Sequence, residues 1–142
     1  MIAIDTNLLV YSHRQDSDFH ERARAVVEDL ASGDATWGLP WAVAHEFVVA
    51  VTRRRAKPTP LADALNVVTS LTASPRCVPL AEPLDHWSRL RSLAESAGAK
   101  GPIFYDARIA AICLAHGVRE LWSADRDFGR FPQLKVRNPL VG

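Results

Sequence analysis

Short apolar runs alternate along this chain with stretches long enough for helices, and that alternation constrains the fold more than any other feature. Ile2 to Asp5, Ala35 to Pro40, Cys77 to Leu80, Glu120 to Ser123 and Leu134 to Arg137 read as strands. Between the first four lie helical segments with apolar residues on one face. Ala23, Val26, Val27 and Leu30 mark one from Phe19 to Ala31, and Val43, Phe47, Val48 and Val51 mark another from Trp41 to Arg54. Leu61, Leu65, Val68 and Leu71 mark a third, while Leu84, Trp87, Leu90, Leu93 and Ala94 line a fourth. Asp106, Ile109, Ala110 and Cys113 share a face between Tyr105 and His116. A short helix follows Asn7, and Ala124 to Phe131 reads as a polar turn or short helix. Strands joined through helices run parallel, so the expected fold class is α/β: a three-layer α/β/α sandwich with a mainly parallel sheet of about five strands.

At 142 residues and 48% hydrophobic content the chain can bury one sizeable core, so a single domain over residues 1–142 is expected. Lys and Arg number 17 against 16 Asp and Glu, a net charge of +1, which excludes a uniformly basic nucleic-acid-binding body. Any polyanion must therefore meet a local patch. Cys77 and Cys113 stand far apart in apolar surroundings and read as small buried hydrophobes of a reducing compartment. No basic leader precedes the first apolar run, and no run approaches the roughly 20 residues a membrane span needs. A soluble, cytoplasmic protein with no membrane partner is expected.

Four carboxylate positions interrupt apolar context or sit at element ends: Asp5, Glu46, Asp106 and the pair Asp125/Asp127. Singly, each has a plain structural use, since Asp5 and Asp106 could cap or complement helix amino ends and Asp125/Asp127 suit a turn. Glu46 is harder to place that way, because an ionised glutamate inside Ala42-Val43-Ala44-His45-Glu46-Phe47-Val48-Val49 is rarely buried unpaired. Jointly they fall near the carboxyl end of the sheet, where doubly wound folds gather their ligands. Two unit charges about 4 Å apart at an effective dielectric near 20 repel by about 4 kcal/mol. Such a cluster needs a cation. All-oxygen ligands without His or Cys select Mg²⁺, or Mn²⁺ in its place. The chemistry this supports is phosphodiester hydrolysis by a metal-activated water.

Ile4-Asp5-Thr6-Asn7-Leu8-Leu9-Val10-Tyr11, Glu46-Phe47, Tyr105-Asp106-Ala107 and Ser123-Ala124-Asp125-Arg126-Asp127-Phe128, in that order, resemble the PIN-domain ribonucleases. The likeness runs on through Phe131-Pro132 to Arg137-Asn138-Pro139-Leu140 and is strongest to the VapC toxins of bacterial toxin–antitoxin modules. That resemblance implies a Mg²⁺-dependent endoribonuclease with Asp5, Glu46, Asp106 and Asp125 as metal-binding catalytic acids. Asp127 stands near them as ligand or helper, and Thr6 or Ser123 hydrogen-bonds to the site. Where relatives often carry threonine, position 123 keeps only the hydroxyl. The resemblance further implies an RNA substrate, a homodimer and a cognate VapB-type antitoxin that blocks the acidic groove.

Arg53, Arg54 and Arg55, with Lys57, form the densest basic run and are candidates to hold an RNA backbone, or simply a solvated helix end. Arg108, Arg126 and Lys100 lie nearer the acids in sequence and are alternative phosphate contacts. The five histidines are scattered, and Trp37, Trp41, Trp87 and Trp122 read mostly as core. Two other functions keep the fold. One is a non-catalytic binding module with a structural cation; the other is a phosphatase using Asp5 as covalent nucleophile, against which Asn7 stands where a second aspartate is wanted.

Overall fold

The computed structural model describes residues 1–141. Its elements follow the expected alternation: β1 (Ile2–Ile4), α1 (Thr6–His13), α2 (His20–Ser32), β2 (Trp37–Pro40), α3 (Trp41–Thr52), α4 (Leu61–Ala73), β3 (Cys77–Leu80), α5 (His86–Ala97), α6 (Ile103–Ala115), β4 (Glu120–Trp122), a 3₁₀ turn (Arg126–Arg130) and β5 (Val136–Arg137). The five strands form one sheet in the order β3-β2-β1-β4-β5, and every neighbouring pair is parallel.

Strand order fixes where the helices go. From β1 the chain steps to β2 and on to β3 in one direction, then returns across the sheet to β4. Right-handed crossovers therefore place α1 to α4 over one face and α5 with α6 over the other. Packing agrees: α1 lies against α2 and α3, α3 against α4, and α5 against α6. The central strands are buried from both faces. Ala3, Ile4, Trp37, Leu39 and Leu121 are fully enclosed, with Leu8, Leu9, Phe47, Ile109 and Ile112 from the helices. Each such large side chain contributes about 1.5–3 kcal/mol by leaving water. Pro79 is accommodated because β3 is an edge strand. At Gly38 on β2 a Cβ would stand 2.7 Å from Leu80 Cδ1, so any larger residue there displaces the buried Leu80 side chain.

Several expectations need correction. The first helix begins at Thr6, directly after Asp5, and the Trp41 helix ends at Thr52. The last strand is only Val136–Arg137. Leu61 and Leu65 are exposed on α4, which buries Ala64 fully and Val67, Val68 and Leu71 in part. Leu84 precedes α5 and is exposed, as is Trp87, so only Leu90, Leu93 and Ala94 carry that helix into the core. Of the tryptophans, Trp37 is core and Trp122 partly buried, whereas Trp41 and Trp87 face solvent. Both cysteines are buried and free. Among the described residues no helix is long and apolar enough to cross a membrane.

Because β2 lies on one side of β1 and β4 on the other, the chain reverses direction between β1 and β4. The crevice beyond the carboxyl ends of those two strands is the place this topology reserves for a ligand.

Candidate active site

Asp5 follows β1 directly and caps the start of α1 in extended conformation. Its backbone N–H donates to the Trp122 carbonyl at 3.0 Å, so sheet pairing with β4 carries the carboxylate to the mouth of the crevice. Beyond β4, the Ser123 hydroxyl donates to Asp5 Oδ2 at 2.7 Å and accepts from the Asp125 N–H at 2.9 Å. Asp125 Oδ1 in turn accepts from the Asp127 N–H at 2.9 Å, fixing the turn that presents both acids. Asn7 ties the two loops together, its Oδ1 accepting from the Ala124 N–H at 3.3 Å.

The remaining acids arrive from the two helical layers. Glu46, half-buried on α3, accepts from the Thr6 hydroxyl at 2.8 Å, which locks it to the first turn of α1. Asp106 comes from the first turn of α6 on the opposite face. Asp106, Asp125 and Asp127 each place a carboxylate oxygen within 4.8 Å of the others. Asp5 is pushed up to about 6, chiefly by burial and further by the charges of Glu46 and Asp125, against the lowering effect of the Ser123 hydroxyl. Asp106 is pushed up to about 7 by burial and then by Asp125, Asp5, Asp127 and Glu46. All five predicted acids therefore share one electrostatic site.

The donor set is carboxylate oxygen throughout, and among the described residues no cation is paired with Asp5, Glu46, Asp106 or Asp125. Arg130 Nε approaches Asp127 at 3.8 Å on the exposed side. A hard divalent ion fits such a set, because it satisfies the oxygens and offsets both the burial that chiefly raises Asp5 and Asp106 and the repulsion that adds to it.

A family model for the PIN domain matches residues 2–134. The chain belongs to the PIN-domain family. Among PIN-domain relatives, Ribonuclease VapC43 of Mycobacterium tuberculosis is 40% identical over 144 residues, covering 100% of this chain and 97% of its own length. Ribonuclease VapC48 of the same species is 30% identical over 140 residues, with 97% of each chain covered. These full-length matches put the chain in the VapC branch. Two solved structures share its PIN fold. Mycobacterium tuberculosis VapC20, a sarcin–ricin loop cleaving toxin, superposes with TM-score 0.69 at 17% identity, covering 91% of this chain and 93% of its own. VapBC2 from Rickettsia felis, bound to a DNA fragment from its promoter, gives TM-score 0.67 at 22% identity, with 97% and 98% covered.

The basic candidates divide around this PIN-domain site. Arg53, Arg54 and Arg55 are exposed beyond the end of α3, seven residues or more from Glu46 and so about 10 Å along the helix axis. Arg126 is exposed next to Asp125. Arg108 is not free, because its Nε donates to Glu82 Oε1 at 2.6 Å; the expectation of a phosphate contact there is weakened by a charge already matched. Sequence reasoning missed two residues. Asn7 bridges the β1 and β4 loops, and its amide two positions after an acid at a strand end was the available signal. Glu82 has no local signal, since its partner lies 26 positions away.

Proposed function

We propose that this chain is a Mg²⁺-dependent endoribonuclease, with Mn²⁺ as a substitute, and the toxin of a toxin–antitoxin pair. The observation that carries this is the convergence of Asp5, Glu46, Asp106, Asp125 and Asp127 at the crevice between β1 and β4. Its VapC relatives are named as ribonucleases over their full length, which supports RNA as substrate.

Asp106, Asp125 and Asp127 would hold the cation together with Asp5, with Glu46 at its flank. When bound, the ion supplies Lewis-acid polarisation of a phosphodiester and activation of a water. The protein's own part is positional. Ser123 fixes one oxygen of Asp5, and Thr6 fixes one oxygen of Glu46. Burial of Asp5 excludes bulk water from one wall of the crevice, and half-exposed Asp106 and Asp125 leave the other wall open to a backbone phosphate. Single-stranded or looped RNA suits an open crevice better than a duplex, because its backbone can bend into reach. Arg126 beside the acids and the Arg53, Arg54 and Arg55 run offer the countercharge for flanking phosphates. The structures bearing VapBC in their names support a VapB-type antitoxin as partner, and the reading includes a homodimer acting in the cytoplasm.

Asn7 weighs against the covalent phosphatase, because its amide is spent on holding the β4 loop rather than standing as an acid beside Asp5. The test is cleavage of a single-stranded RNA with and without excess EDTA. Activity restored by Mg²⁺ and absent in Asp106→Asn supports the reading; cleavage that persists in EDTA overturns it.

A further inference from the structure

A second cavity of about 510 Å³ opens at the carboxyl end of β3, on the flank of the acidic crevice away from β4. Its walls are Trp41 and His45 from α3, Leu80 and Glu82 from the end of β3, and Arg108 with Ile112 from α6. Two of these residues adjoin the acids in sequence: His45 precedes Glu46, and Arg108 follows Asp106 by two positions. Whatever occupies this cavity lies at the same carboxyl edge of the sheet as the acids.

The wall chemistry is specific. Trp41, the first residue of α3, is 37% exposed and lines the cavity. Arg108 and Glu82 are bound to each other through Nε and Oε1 only. Among the described residues the terminal amino groups of Arg108 make no further hydrogen bond. Glu82 Oε1 also faces His86 Nε2 at 3.7 Å, whereas Oε2 makes no hydrogen bond among the described residues. The Arg108 guanidinium holds the Glu82 carboxyl below its usual range, so it is an acceptor only. A guanidinium whose charge is already matched is a weak phosphate ligand, but its amino groups remain directional donors.

We propose that this cavity is a nucleobase subsite that selects guanine in the RNA strand. Trp41 stacks on the base, the free amino groups of Arg108 donate to O6 and N7, and Glu82 Oε2 accepts from N1–H and the 2-amino group. Adenine presents a donor where guanine has O6 and lacks the N1–H. Cytosine and uracil are too small to meet both Arg108 and Glu82 from one stacked position. The inference rests on the ribonuclease reading for its substrate, and binding separates the two.

The test uses the cleavage-deficient Asp5→Asn protein and single-stranded RNA heptamers of uridine carrying one central guanosine, inosine or adenosine. Guanosine is expected to bind about tenfold tighter than inosine, which lacks only the 2-amino group, and than adenosine. Adding Glu82→Gln or Trp41→Ala should bring the three affinities together, with folding verified by circular dichroism. Equal affinities in the Asp5→Asn protein, or a guanosine preference untouched by both substitutions, overturn the subsite. Variants that change antitoxin affinity alone overturn it too, by giving the cavity to a protein side chain. With active enzyme, cleavage should fall at a fixed offset from guanosine. Cleavage without that offset removes the subsite and leaves the ribonuclease, whereas RNA that binds with guanosine preference and is never cut removes the ribonuclease and leaves the subsite.

Discussion

Asp5 and Glu120 are both buried, 5% and 8% exposed, on neighbouring strands of one sheet, and their surroundings are opposite. Glu120 opens β4 at the amino edge, where the Trp122 indole N–H donates to Oε1 at 2.7 Å and Lys135 Nζ lies 3.2 Å from Oε2. Those partners, with Arg137, hold its carboxyl below the usual range. Asp5 closes β1 at the carboxyl edge with one hydroxyl donor and acids for neighbours, and it is held up at about 6. An acid matched by its own fold is structural. One left without a countercharge, with Glu46, Asp106 and Asp125 likewise lacking one among the described residues, is what the proposed cation would complete.

The largest break between the two acids is in catalysis. Asp5→Asn and Asp106→Asn should each lower RNA cleavage by at least about a hundredfold while the circular dichroism spectrum is unchanged. Glu120→Gln should leave cleavage within about twofold, since it lies at the opposite edge of the sheet. If Glu120→Gln were as damaging as Asp5→Asn, burial alone would explain both acids and the contrast would fail.

Stability gives the next separation. Raising a buried carboxyl from 3.8 to about 6 corresponds to about 3 kcal/mol of folding free energy withheld once the group ionises. The sign follows from proton binding: between those values the native state holds more protons than the unfolded chain, so stability falls as pH rises. Without metal, chemical denaturation should therefore show Asp5→Asn gaining on the wild type from pH 4 to 7 and exceeding it at pH 8. Asp106 acts in the same direction, more weakly for its exposure to solvent. Saturating Mg²⁺ should reverse the order by stabilising only the wild type. A pH-independent difference, or an equal gain from Mg²⁺ in both proteins, would break the assignment of Asp5 to the ion.

Ser123 sharpens the picture on a smaller scale. Among the described residues its hydroxyl is the one side-chain donor to Asp5, so Ser123→Ala should weaken Mg²⁺ affinity by about tenfold, and Ser123→Thr should restore it. Calorimetric titration with Mg²⁺ reads both; an unchanged affinity in Ser123→Ala would assign the hydroxyl to the Asp125 turn alone.

How much of this was legible in the sequence follows from the same physics. A strand buried on both faces writes itself as an apolar run, and an acid at its end breaks the run, so β1 with Asp5 and β4 with Asp125 were readable. Glu46 stood out because charge inside an apolar helix demands a reason. Periodicity was less informative for α4 and α5. It shows that a helix has an apolar stripe but not how much of the stripe finds a partner, and Leu61, Leu65, Leu84 and Trp87 find little. The surroundings of Arg108 were hidden for a related reason: its ion pair with Glu82 depends on the loop after β3 meeting α6, a tertiary fact without a local signature.

The smallest predicted effect closes the comparison from the structural side. Glu120→Gln preserves shape and keeps an acceptor for Trp122 but removes the charge that faces Lys135 and Arg137. Hydrogen bonds to a charged group contribute more than neutral ones, yet Lys135 is exposed and screened, so the net loss should be about 1 kcal/mol at pH 7. Here the sign runs opposite to Asp5. The folded carboxyl sits below 4.5, so its contribution is present at neutral pH and disappears as pH falls through that lower value. Denaturation of wild type and Glu120→Gln should therefore converge in acid and separate as pH rises toward 4.5, while Asp5→Asn gains on the wild type as pH rises from 3.8 to about 6. Two acids on adjoining strands would then show stability differences of opposite pH slope, a result that burial depth by itself has no means to produce.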